Sequence, residues 1–102
     1  MNEQSVEEAA QAHARAVVAG DIGATVRGMT PEGLAKTMQI GNTTWTYFGY
    51  DLTPQGRDGD DYLFDATYQT DLGPLSMRYR FRLIDGEWKV VDTERIDRPA
   101  GS

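Results

Sequence analysis

Residues 60–96 read DDYLFDATYQTDLGPLSMRYRFRLIDGEWKVVDTERI, and the alternation in this stretch decides the fold. Tyr62, Phe64, Ala66 and Tyr68 alternate with Leu63, Asp65, Thr67 and Gln69. Leu75, Met77, Tyr79, Phe81 and Leu83 alternate with Ser76, Arg78, Arg80 and Arg82. Trp88, Val90, Asp92 and Glu94 alternate with Lys89, Val91, Thr93 and Arg95. A period of two with one apolar face marks a half-buried antiparallel sheet. Asp85-Gly86 is a strong hairpin signal, because both central residues of a type I′ turn need positive φ. It pairs Ile84 with Glu87, Leu83 with Trp88, Phe81 with Val90, Tyr79 with Asp92 and Met77 with Glu94. With Leu72-Gly73 as the tip of the preceding hairpin, Tyr62 faces Leu83, Phe64 faces Phe81, Ala66 faces Tyr79 and Tyr68 faces Met77. Asp65 then lies across from Arg80 on the other face. A slip of one residue in either hairpin would bring arginines onto the aromatic face.

Upstream, the pattern turns helical. Ser5-Val6-Glu7-Glu8 has the form of a capping box. Val6, Ala9, Ala10, His13, Ala16 and Val17 then form one stripe at helical spacing, closed at Gly20. Asp21 caps a short second helix through about Arg27, which Gly23 weakens. Thr30-Pro31-Glu32 starts a third, running to about Met38. Thr43 to Tyr50 is rich in threonine and aromatics and reads as the first strand. Asp51 to Gly59 reads as a polar loop, which leaves open whether Trp45 and Tyr47 or Phe48 and Tyr50 face inward. Helices followed by a run of strands predict an α+β domain over residues 1–102, with three N-terminal helices on one face of a four-stranded antiparallel sheet.

Composition narrows the function classes. Sixteen acidic against ten basic residues give a formal charge of −6, which argues against a nucleic-acid partner. With no cysteine, disulfides, thiolate nucleophiles and cysteine metal sites are excluded. His13 and the carboxylates show no metal-ligand spacing, and Asp58-Gly59-Asp60-Asp61 lacks the calcium-loop pattern, so no metal or cofactor is expected. No apolar run reaches membrane-spanning length and the start Met-Asn-Glu-Gln is unlike a signal peptide. A soluble, cytoplasmic protein without a membrane partner is the expectation.

Val18-Ala19-Gly20-Asp21-Ile22 at the end of the first helix, Met29-Thr30-Pro31-Glu32-Gly33-Leu34 at the third, and the hairpin Asp85-Gly86-Glu87-Trp88-Lys89-Val90-Val91 together resemble the nuclear transport factor 2-like (cystatin-like) superfamily. The resemblance spans most of the chain and implies a curved sheet wrapped as a cone around the long helix, with an interior pocket. It also implies frequent homodimers through the outer sheet face. Members include ketosteroid isomerases, limonene epoxide hydrolases, polyketide cyclases and many domains without known activity, and this chain is short among them. A fold likeness does not assign a reaction.

Three constellations carry possible chemistry. In the inward row Ala66, Tyr79, Asp92, a desolvated Asp92 beside His13 from the first helix would have the raised pKa of a general base. The plainer reading leaves Asp92 at an opening edge and makes His13 a core residue. The aromatic set, with Tyr47, Tyr62, Ala66, Tyr79 and Trp88 as its pocket-lining members, suits a small apolar molecule, or simply fills the core. The outer stripe Arg78, Arg80, Arg82 is too sparse, in an acidic chain, for an anion or nucleic-acid surface; it is either a solvated face or a homodimer interface in which arginines meet partner carboxylates such as Asp65. Lys89 opposite Arg82 is a like-charge pair that needs an anion nearby. The leading reading is a small-molecule-binding domain without assignable catalysis, homodimeric through the outer sheet face at Asp65, Arg78, Arg80 and Arg82. The alternatives are an isomerase, hydrolase or cyclase using Asp92 with His13, and a structural dimerisation module.

Overall fold

In a computed structural model of the chain, which describes residues 5–40 and 46–96, three helices precede four strands. They are α1 (Val6–Ala19), α2 (Ile22–Arg27), α3 (Pro31–Ile40), β1 (Tyr47–Asp58), β2 (Asp61–Thr70), β3 (Gly73–Ile84) and β4 (Glu87–Arg95). The helix starts follow their caps. The Ser5 hydroxyl accepts from the Glu8 amide, the Asp21 carboxylate from the Ala24 amide, and the Thr30 hydroxyl from the Gly33 amide, each at 3.1 Å. The strands form one antiparallel sheet in the order β1-β2-β3-β4, so the α+β architecture stands as expected.

The inner face carries Phe64, Ala66, Tyr68, Leu75, Met77, Tyr79, Phe81 and Val90, all buried. The arginines of β3 lie on the other face. Against the inner face α1 sets Ala9, Ala10, His13 and Ala14. Three alanines let the helix approach closely, while the sheet supplies the bulk. Burying side chains such as Phe81, Leu75 and Val90 contributes about 1.5–3 kcal/mol apiece.

The third helix is attached differently. Val90 donates its N–H to the Gly28 carbonyl at 2.8 Å, and its own carbonyl accepts from the Thr30 amide at 3.0 Å. Met29 thereby forms an isolated parallel bridge with Val90 at the free edge of β4. From there α3 runs along β4 with Gly33 pressed onto the strand, and the Thr37 and Thr93 hydroxyls bond at 2.9 Å.

Three expectations are corrected. The β2–β3 tip is Asp71-Leu72, not Leu72-Gly73. Thr70 faces Gly73, and every pair shifts by two: Tyr62 faces Phe81, Phe64 faces Tyr79, Ala66 faces Met77, and Asp65 faces Arg78. The Thr70 side chain fixes this tip, accepting from the Leu72 amide at 3.0 Å and donating to the Gly73 carbonyl at 2.6 Å. A shift of two keeps every side chain on its face.

The second correction is in β4. Phe81 faces Val90 as expected, but the next pair is Arg80 with Asp92, so Val91 is an extra, bulged residue. Tyr79 therefore faces Thr93 rather than Asp92, and Met77 faces Arg95 rather than Glu94. The third concerns residues 51–59. The segment read as a loop forms most of an edge strand, with Asp58 paired to Asp61 across a two-residue turn. Pro54 and Gly56, the residues that suggested a loop, flank a bulge where Gly56 takes φ +100; edge strands accommodate both residue types at such irregularities. A further register break between Tyr47 and Gly49 settles the inward question in neither of the two ways considered. Tyr47 and Tyr50 both pack on the core while Phe48 is 68% exposed. Trp45 lies outside the described residues.

Gly33 is the position where α3 tolerates least. A Cβ there overlaps the Val90 carbonyl oxygen and comes within 2.9 Å of its carbon. Overpacking typically costs about 1–3 kcal/mol, and a backbone obstacle outweighs the ~1 kcal/mol that alanine brings to a helix. At Gly23 in α2 an added methyl meets only the flexible ends of Arg27 and Asp21. In urea unfolding, Gly33→Ala is expected below the wild-type midpoint and Gly23→Ala at or above it; the opposite order would contradict the docking of α3 on β4.

Candidate functional site

The inner face sorts the predicted site residues into core and rim. Ala66 and Tyr79 are buried in the core. The Tyr79 and Tyr68 hydroxyls bond to each other at 2.5 Å, and burial pushes both phenols above their ordinary value, so the pair stays protonated. Tyr47 stands edge-on to Tyr68 at 5.4 Å between ring centres. Beside it, Tyr50 donates its hydroxyl to Gln11 of α1 at 2.7 Å. The hydroxyls of Tyr68, Tyr79 and Tyr50 are thus satisfied by one another or by the helix.

His13 and Asp92 are not brought together. The bulge at Val91 moves Asp92 to the outer face opposite Arg80, half-exposed and 3.8 Å from the Lys36 ammonium. His13 stays on the inner face, 6% exposed, its ring edge-on to Tyr79 at 4.8 Å and near Phe81 at 6.3 Å. Among the described residues neither ring nitrogen has a hydrogen-bond partner, and burial lowers its pKa to about 4. The inner position assigned to Asp92 is held by Thr93, a buried hydroxyl bonded to Thr37. The cost of leaving Asp92 and Glu94 on an apolar face was itself a sign that β4 would break its alternation.

The remaining two predicted residues do meet at a surface. Tyr62 and Trp88 stand edge-to-face at 5.5 Å at the end of the sheet where the β1–β2 and β3–β4 turns lie. With Leu83 and Arg57 they line an open groove of about 610 Å³, whose other wall is Asp60, Asp61 and Arg82. The Arg57 guanidinium sits 5.8 Å from the centre of the Tyr62 ring. Tyr62 reaches Trp88 because β2 and β4 flank β3, and even-numbered residues of both point inward at this end. Arg57 joins them only because residues 51–58 are strand; reading them as a loop hid this residue.

The outer face is ordered by Asp61, which sequence reading also missed. Arg82 grips it through Nε and Nη2 at 2.8 and 2.9 Å, and Arg80 reaches it through Nη1 at 2.9 Å while its Nη2 holds Asp58 at 2.8 Å. Arg78 holds Asp65 in a two-pronged contact at 2.7 and 3.0 Å. In the expected register Asp61 would have stood across from Ile84; the two-residue shift sets it across from Arg82. The Arg82 contact, aided by Arg80 and opposed by burial, holds the Asp61 carboxyl at about 2. Lys89 does lie opposite Arg82, but its ammonium meets Glu87 at 3.1 Å and the Arg27 carbonyl at 2.7 Å. The carboxylates expected from a partner chain are thus supplied within this one.

Among the described residues no group of three His, Cys, Asp or Glu is placed to hold a metal ion, and no described helix is long and apolar enough to cross a membrane.

Two buried groups give stability two separate pH limbs. His13 stays neutral in the fold down to about 4 but takes its proton near 6.5 when unfolded, so stability is complete above 6.5 and falls by roughly 3 kcal/mol on acidification to 4. Asp61 is depressed from 3.8 to about 2, so its contribution of about 2 kcal/mol is complete above 3.8 and lost on approaching 2. Urea unfolding across this range should show that His13→Leu removes the upper limb only and Asp61→Asn the lower limb only. An upper limb unchanged in His13→Leu would contradict a buried, unpaired imidazole. Comparison of this chain with protein-family models, curated proteins and solved structures finds no match.

Proposed function

We propose that this chain is a small-molecule-binding domain of the nuclear transport factor 2-like kind, with no assignable catalysis and with its ligand position at the Tyr62–Trp88 groove. The observation that carries this reading is a pair of half-buried aromatic side chains set edge-to-face over an open groove, beside apolar Leu83 and the charged groups Arg57 and Asp60. Small-molecule sites combine apolar and aromatic walls with a few polar groups that orient the ligand. In this reading the sheet wraps α1 as a cone, with the groove at its turn-bearing end.

Geometry favours binding over the proton-transfer alternative, since Asp92 and His13 lie on opposite faces of the sheet. The outer-face homodimer built on Asp65, Arg78, Arg80 and Arg82 loses its motive, because each of these groups is paired inside the chain.

A fragment library screened by ¹H–¹⁵N correlation spectra on the full chain tests the site. Shifts are expected to cluster at Arg57, Tyr62, Leu83 and Trp88, and Trp88→Ala should weaken the best fragment about tenfold through loss of an aromatic wall. Hits that spare this cluster, or that bind folded Trp88→Ala unchanged, would overturn the reading.

A further inference from the structure

The charges around the groove are not equivalent, and their difference names a ligand class. Asp61 is immobilised by Arg80 and Arg82, so the carboxylate and the Arg82 guanidinium offset each other. Arg57 is exposed and forms no ion pair with any described residue; it lies 5.8 Å from the centre of the Tyr62 ring, hydrogen-bonds the Tyr62 hydroxyl and feels the Asp60 charge. A guanidinium carries five N–H donors in one plane, so a bond to a single phenol oxygen leaves an edge of two available to a planar acid. Arg78, Arg80 and Arg82 spend those groups on Asp65, Asp61 and Asp58. Arg57 holds the same fork at the mouth of an aromatic groove with no described carboxylate in it.

From this we propose that the groove binds a small aromatic carboxylate, its ring against Tyr62, Leu83 and Trp88 and its carboxylate in a two-pronged contact with Arg57. The proposal rests on the groove being the ligand position, and it adds what that ligand is. A chain of net charge −6 repels anions at long range, so an acid needs a dedicated, oriented cation to dwell there. Asp60 on the rim keeps the site selective for ligands that place a single negative charge at Arg57 rather than spreading charge across the groove. A cationic ligand would find Asp60 but would have to displace Arg57 from the Tyr62 face it competes for. An uncharged aromatic would leave the guanidinium unused.

Three probes of one shape separate the possibilities: 2-naphthoate, 2-naphthamide and 2-naphthylmethylammonium, each titrated into the full chain and followed by the amide shifts of Arg57, Tyr62, Leu83 and Trp88. The carboxylate is expected to bind about tenfold more tightly than the amide, in line with a charge-assisted pair. Arg57→Gln should bring the carboxylate to the level of the amide while leaving the amide unchanged, and Arg57→Lys should recover only part of the difference. Carboxylate and amide of equal affinity at these amides would overturn the acid assignment and leave the groove standing as a binding position. An ammonium probe tighter than the carboxylate would overturn it in favour of cations. Shifts at these amides with none of the three would sink both the assignment and the groove.

Discussion

The backbone of Val90 is the constraint on which the rest depends. Across the sheet it faces Phe81; away from it, its N–H and carbonyl are both bonded to the segment linking α2 and α3. Buried backbone groups must find partners, and a strand edge normally leaves them exposed. Here Gly28 and Thr30 take them, so the edge of β4 is closed by the chain that starts the third helix. Gly33 then lets α3 lie against the same carbonyl. One residue beyond, β4 gives up its pairing with β3 at Val91. Everything C-terminal to that point changes face, including the residue that had the best claim to be a general base.

What was legible in the sequence was parity, and parity sufficed for the architecture. Aromatic and aliphatic side chains at alternate positions from 62 to 90 specify which face is inside, and a slip of two residues leaves that answer intact. Register carries finer information and is set by contacts the pattern does not display. The Thr70 hydroxyl selects the tip of one hairpin, and the α3 start is bound to β4 from 60 residues away. That is why the fold was readable while Asp61, Arg57 and the true position of Asp92 were not. Residues 51–58 failed for a related reason: proline and glycine mark both loops and the bulges of edge strands, and composition does not separate the two.

The outer face shows the same logic in charges. An acidic chain with arginines at alternate positions invites a partner to explain them, yet β1 and β2 place Asp58, Asp61 and Asp65 within reach of all three. Exposed ion pairs contribute little singly; Asp61 differs because it is buried under two guanidiniums and would be stranded without them. The network pins β2 to β3 on the solvent side, as the aromatic rings do on the other. A sheet held on both faces can present its turn-bearing end as a rigid ledge, and the Tyr62–Trp88 corner is built there.

His13 itself weighs against the proton-transfer alternative. A general base is effective when its pKa lies near the working pH and a partner orients it. This imidazole is held at about 4, with aromatic edges against it and no hydrogen bond at either nitrogen from the described residues. It is the polar member of a helix stripe otherwise made of alanine and valine, and its flat ring fills the space between α1 and the aromatic floor beside Gly28. The penalty of an unpaired ring N–H is about 1–3 kcal/mol, of the same order as the packing a ring of that size provides. So small a net cost is tolerable in a core this aromatic, and it requires no catalytic duty to account for it.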